Sequence, residues 1–201
     1  YYSDNNTLSG NMVSLNKYFG MHVQYSSNTM LSGNIASHNG HGIWFWHSHN
    51  NIITGNFASN NKYGIDLGYS GNSKLCVNIA SNNEYGIYLR DSSNNVIFHN
   101  NFINNTQQVY NYNSMNTWDN GYPSGGNYWS DHICIGNPSN GSQPYIIDAN
   151  NMDRYPFQDS NGWLKKAITA IIDIDPDTLN LKSKGEWITC YIELPEGYNV
   201  S

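Results

Sequence analysis

Glycine returns every 22 residues along the first half of this chain, at Gly20, Gly42, Gly64 and Gly86, and each is followed by an apolar residue: Met21, Ile43, Ile65 and Ile87. Asn34, Asn56, Asn78 and Asn100 keep the same step, as do Asn39, Asn61, Asn83 and Asn105. A fixed period of this length, built from short strand-like pieces without helical periodicity, specifies a solenoid. One repeat cannot bury its apolar side alone, so successive copies must stack. The expected fold is therefore all-β, with one coil per repeat.

Within a coil the pattern Gly-Ile-x-Leu recurs as Gly42-Ile43-Trp44-Phe45, Gly64-Ile65-Asp66-Leu67 and Gly86-Ile87-Tyr88-Leu89. Alternation of period two marks a strand with one buried face. Leu31, Ile53, Leu75 and Ile97 supply a third apolar column, and Ile35, Phe57 and Ile79 read as a fourth, so that four apolar side chains per coil point inward. The Asn columns fall at the corners, where left-handed dihedrals are tolerated and where stacked amides can bond their copies. The first coil is one residue longer, Leu8 to Leu31, and Asn100-Asn101-Phe102 reads as a slip in the last.

These features predict parallel coils over residues 1–115, a Trp/Tyr/Gly-rich C-terminal cap over 116–162 and a β-strand tail over 163–201. The tail strands, within Ala167–Ile174 and Glu186–Leu194, are too few for a sandwich of about 100 residues and are expected to find partners elsewhere.

Charged residues make up 12% of the chain and the net charge is −6, which excludes a nucleic-acid backbone as partner. No apolar run reaches the length of a membrane span. The chain opens on Tyr1 with no signal peptide, as expected of a processed or excised piece. Sequons at Asn5, Asn104, Asn140 and Asn199 are candidate glycosylation sites. Cys76, Cys134 and Cys190 lack metal-type spacing; Cys76 reads as a lone thiol, and a Cys134–Cys190 bridge is conceivable.

Beyond the coils, Asn116-Thr117-Trp118-Asp119-Asn120-Gly121-Tyr122-Pro123-Ser124-Gly125-Gly126-Asn127-Tyr128-Trp129-Ser130-Asp131 and Pro144-Tyr145-Ile146-Ile147-Asp148-Ala149-Asn150-Asn151-Met152-Asp153-Arg154-Tyr155-Pro156 form a distinct texture. With the Asn-rich coils, these segments resemble the NosD-type β-helix proteins, described as periplasmic copper-binding or as carbohydrate-binding and sugar-hydrolysis (CASH) domains. The resemblance implies a right-handed parallel β-helix and an envelope or secreted setting, most often in archaea and bacteria. Residues 173–185 resemble the opening of an immunoglobulin-like surface module.

Two outward columns of one strand are unusual: His22, Trp44, Asp66 and Tyr88 in one, and Gln24, Trp46, Gly68 and Arg90 in the next. Trp44 and Trp46, flanked by His47 and His49, form a contiguous aromatic face of the kind that marks interaction sites. His22, Trp44, Trp46, His47, Tyr88 and Arg90 are thus the candidate ligand-binding set, for a saccharide or a neighbouring protein. Carboxylates are sparse across the coils, and Asp66 with Arg90 reads as a surface pair, so no catalytic residue is assigned.

Imidazoles suit copper, but His38 and His41 precede the strand that His47 and His49 follow. Asp148, Asn150 and Asp153 offer oxygen ligands at short spacing for Ca²⁺, without the remainder of an EF-hand loop. The reading is a non-catalytic, extracellular, structural or adhesive β-helix that presents an aromatic face for saccharide or protein contact, with polysaccharide as a candidate partner, and that self-associates end to end or through its tail strands into a filament, sheath or layer. The alternatives are a polysaccharide lyase or hydrolase of β-helix type and NosD-like copper handling.

Overall fold

The computed structural model describes residues 2–164 and two further strands, Ile171–Asp175 and Thr189–Glu193. No helix occurs among the described residues. The chain forms two compact units, Tyr1–Trp163 and Leu164–Ser201. In the second, the two described strands pair antiparallel with each other, Ile171 opposite Glu193. The two tail strands thus partner each other along one edge.

The first unit is a parallel β-solenoid of about five turns. Each turn contributes a strand to three sheets. The first sheet stacks Thr7–Ser9, Met30–Ser32, Ile52–Thr54, Lys74–Cys76 and Val96–Phe98. The second stacks Met12–Ser14, Ile35–Ser37, Phe57–Ser59, Ile79–Ser81, Asn101–Ile103 and the short Tyr128–Trp129. The third has longer strands: Phe19–Gln24, His41–Trp46, Tyr63–Gly68, Tyr85–Arg90 and Gln107–Tyr112. Register follows the repeat, with Leu31 opposite Ile53 and Ile43 opposite Ile65. The extra residue of the first coil is absorbed between Leu8 and Leu31, which pair directly.

Four side chains per coil enter the core, but one column differs from the sequence reading. Leu31, Ile43 and Phe45 are buried as expected, and the fourth inward residue is Ala36, with Ala58, Ala80 and Phe102 in the following coils. Ile35 and Phe57 are 36% and 37% exposed. The cause is the buried amide of the preceding Asn34 or Asn56: once it points inward, period-two alternation turns the next residue out. The same register removes the slip at Asn100-Asn101, because Asn101 pairs with Ile79 in the outward column and Phe102 with Ala80 in the inward one.

Each of these corners divides its work between two residues. The first takes the left-handed conformation, as Gly33 (φ 62°), Gly55 (64°), Val77 (60°) and His99 (55°) do in one column. The second, Asn34, Asn56, Asn78 or Asn100, sends its amide inside. Left-handed φ thus belongs to the neighbours of the laddered Asn residues.

Each of these amides donates its backbone N–H and one side-chain N–H to the Oδ1 of the next Asn in the column, at 2.9–3.0 Å from Asn34 through Asn127. The side-chain nitrogen also reaches a backbone carbonyl of the preceding coil, as in Asn78 to Ile53 at 2.7 Å. Every polar atom of the side-chain amides in this column is thereby satisfied.

A ladder whose members all donate forward needs a final member that accepts. Asp153 fills this place: its carboxylate, fully buried, accepts from Asn127 N (2.6 Å), Trp129 Nε1 (2.9 Å) and Tyr155 N (3.1 Å). A parallel ladder through Asn95, Asn116 and Asn151 ends at Asp148, whose two oxygens accept from Asn151 Nδ2 at 2.9 and 3.0 Å. The cap motif serves these endings. Gly126 leaves the space that Asp153 occupies, where any Cβ would collide with the carboxylate. Trp118 and Trp129 cover the last coil, with Trp129 stacked on Phe102 at 4.5 Å and on Tyr145 at 4.1 Å. Asp119 holds Arg154 through two bonds, at 2.7 and 2.9 Å.

Two outcomes follow from the ladders. Asn78→Ala strands the buried donors of Asn56 and the carbonyl of Ile53, and chemical denaturation should show a loss of about 2–4 kcal/mol with the β-sheet spectrum retained. Burial pushes the Asp153 carboxyl up to about 7 against its hydrogen bonds. Its folded value lies above the unfolded one, so its contribution to stability is fully present below about pH 4 and lost as pH rises through about 7. Thermal melts of wild type should therefore fall between pH 5 and pH 8 relative to Asp153→Asn, which lacks this component.

Candidate functional site

The third sheet places three side chains per strand on the outside. Strand pairing makes the columns Phe19, His41, Tyr63, Tyr85 and Gln107; His22, Trp44, Asp66, Tyr88 and Tyr110; and Gln24, Trp46, Gly68, Arg90 and Tyr112. At the turn after each strand a left-handed position adds Tyr25, His47, Tyr69 and Asp91. Parallel strands repeat at about 4.8 Å, close to the separation at which rings stack, so like positions in successive coils are driven into contact.

The contacts are continuous. His22 stacks on Trp44 at 4.1 Å, and Phe19 on Trp44 at 4.7 Å. His41, Tyr63 and Tyr85 form a second row, at 4.5 and 5.3 Å. Tyr25, His47 and Tyr69 form a third, at 5.1 and 4.8 Å. Tyr88 stacks on Tyr110 at 4.3 Å, and Trp44 leans against Trp46 at 5.5 Å. The rings shield one another, leaving Trp44, Trp46, Tyr63, Tyr85 and Tyr88 half-buried rather than fully exposed.

Trp46 lies over Gly68, where an added Cβ would come within 2.5 Å of its ring. The edges of His47 and Tyr69 meet it nearly at right angles, and the Arg90 guanidinium lies over it, 5.1 Å from the centroid.

All six residues chosen from the sequence, His22, Trp44, Trp46, His47, Tyr88 and Arg90, lie on or beside this sheet. The structure adds Phe19, Tyr25, His41, Tyr63, Tyr69, Tyr85 and Tyr110. Their signal was present: extending the 22-residue step to the positions flanking Trp44 and Trp46 generates each of them.

One expected pairing is corrected. Asp66 does not form a surface pair with Arg90; it is buried beneath the rings and bonds His41 Nδ1 at 2.8 Å. Burial raises its carboxyl above the usual carboxylate range, while the His41 bond opposes that rise. Desolvation, followed by the neighbouring His41, lowers His22. Tyr88 is pushed up to about 12, first by burial and then by Tyr110. The face therefore presents aromatic rings, and Asp66 is covered by them.

Residues 1–134 match the family model described as periplasmic copper-binding protein (NosD). The match covers 134 of the chain's 201 residues. The chain belongs to the NosD family. No curated protein and no solved structure matches it. The family's periplasmic description agrees with an envelope-side setting, and no helix among the described residues is long and apolar enough to cross a membrane.

Among the described residues of this NosD-family chain no copper site is assembled. His41 is held by Asp66, His47 is stacked between two tyrosines, and His49 Nδ1 accepts the Gly71 N–H at 3.1 Å. His99 and His132 use Nε2 on the carbonyls of Ser124 and Gln143. No three His, Cys, Asp or Glu side chains converge among the described residues. Nor do the calcium candidates meet: Asp148 and Asp153 end separate ladders, and Asn150 only closes a turn, its N–H donating to Asp148 at 2.8 Å. Cys134 is a free, buried thiol, and the side chain of Cys190 lies outside the described residues. Asn5, Asn104 and Asn140 are exposed; Asn199 and the resemblance at 176–185 lie outside the described residues.

The packing of Trp46 on Gly68 predicts that Gly68→Ala will displace the indole. Near-ultraviolet circular dichroism should change and tryptophan emission should shift, with a stability loss of about 1–3 kcal/mol from overpacking.

Proposed function

We propose that this NosD-family protein is a non-catalytic, envelope-side β-helix that binds a polysaccharide along the outer face of its third sheet. The observation that carries the reading is the run of rings from the exposed Phe19 and the half-buried His22 through Trp44, Trp46, Tyr63 and Tyr85 to Tyr88 and Tyr110. A contiguous aromatic surface held rigid by its own stacking is expensive to leave hydrated. It offers ring faces for the C–H sides of sugars and phenol hydroxyls for their edges. The coil spacing is comparable with the advance of one pyranose unit, so a chain lying along the solenoid axis meets similar groups at each step.

Hydrolysis by the usual route needs two carboxylates facing the scissile bond. Asp66, the carboxylate on the strands of the face, is covered and bound to His41, and Asp91 at the following turn accepts the amide of Asn113. Binding without turnover is the function this arrangement supports.

The test is isothermal titration with polysaccharides, followed by assays for new reducing ends and for unsaturated products. Trp44→Ala/Trp46→Ala should lose at least about tenfold in affinity, equivalent to about 1.4 kcal/mol, with its melting temperature close to that of wild type. Retained affinity in the variant removes the role of the face. Product formation by wild type assigns the protein to the lyases or hydrolases instead.

A further inference from the structure

The saccharide reading leaves Arg90 unexplained. Among the described residues two ion pairs occur, His41 with Asp66 and Arg154 with Asp119, and Arg90 takes part in neither. Its Nε is buried without a hydrogen-bond partner. The guanidinium instead lies over two rings, 5.1 Å from the centroid of Trp46 and 5.6 Å from that of Tyr69. Asp66 feels this charge but keeps its bond to His41. The neighbouring Asp91 accepts the amide of Asn113 at 2.6 Å.

Stacking on two rings holds the planar guanidinium in one orientation and favours the charge electrostatically. It does not use the N–H donors, which lie in the plane of the group. A rigid fork of in-plane donors with no acceptor from the protein matches a planar anion, and above all a carboxylate, which accepts two parallel N–H bonds. Of the outward residues of the third sheet described here, Arg90 is the only guanidinium or ammonium group. It stands beside Trp46, where a sugar ring would stack.

We infer that the third sheet recognises an acidic polysaccharide, with Trp46 stacking on a uronic acid residue and Arg90 pairing with its carboxylate. This rests on the saccharide reading above and names its substrate class. General attraction of a polyanion is not the source of such a preference, because the chain carries a net charge of −6 and repels polyanions at long range. The recognition is local, and it depends on the ring platform that orients the arginine.

The experiment titrates the full chain with polygalacturonate, with the same polymer after methyl esterification, with polymannuronate and with a neutral β-glucan. Esterification keeps the backbone and removes the charge. Wild type should bind at least one uronan about tenfold or more tighter than the neutral polymers. Arg90→Gln should lose that preference, with a near-ultraviolet circular dichroism spectrum and melting temperature close to those of wild type to verify that the ring face is intact. Arg90→Lys should recover only part, since an ammonium is a point charge without a fork.

Equal binding of acidic and neutral polymers by wild type, or a preference that survives Arg90→Gln, overturns the acidic assignment and leaves the saccharide reading standing. Binding of the neutral glucan alone has the same meaning. Failure of all four polymers to bind overturns both.

Discussion

The structure depends on a column of buried amides whose donors and acceptors are satisfied by the protein itself. An unpaired amide inside a solenoid costs about 1–3 kcal/mol per group, and each coil places several there. The ladders solve this by repetition, because an Asn that donates forward meets an identical Asn able to accept. Each coil must then bring an amide into line with the last, whether the step is 22 residues or, as from Asn11 to Asn34 and from Asn100 to Asn127, a longer one, since one displaced amide would strand its neighbours on both sides. The direction of donation also decides how the solenoid ends. Its last amide needs an acceptor, and in two columns an aspartate supplies it.

That requirement organises the cap. Gly126, Asn127, Trp129, Asp153 and Arg154 can look like the fragments of a site when read along the chain. In space they are the ending of a hydrogen-bond column, together with the indoles that seal it from water. Asp148 and Asp153 were the most metal-like residues in the sequence, since their oxygens are acceptors. What they accept is protein N–H.

On the outer surface the same registry has the opposite consequence. Inside, copies of Asn cooperate; outside, copies of any residue are brought to ring-stacking distance. Aromatic side chains at equivalent positions therefore build rows without further design, and glycine at one step, as at Gly68, lets a large ring lie across its neighbour. The face is rigid because the core beneath it is. A histidine and an aspartate in adjacent outward columns, His41 and Asp66, pair across coils for the same reason, and the rings above them remove the acid from the surface.

The repeat alone determined the solenoid, the coil length, the parallel register, three of the four core columns and the location of the aromatic face, because stacking copies admits a single alignment. It could not decide which way Ile35 and Ala36 face, because apolar character favours the isoleucine while alternation from a buried Asn34 favours the alanine. That contest is settled only when the corner amide has a partner in the next coil. Nor could the sequence say that Asp66 turns to His41 instead of Arg90, or that Arg90 lies on Trp46. Residues 22 apart are aligned by the repeat, but choices among diagonal neighbours depend on side-chain rotamers and on which ring covers which charge. Those are decided by tertiary packing.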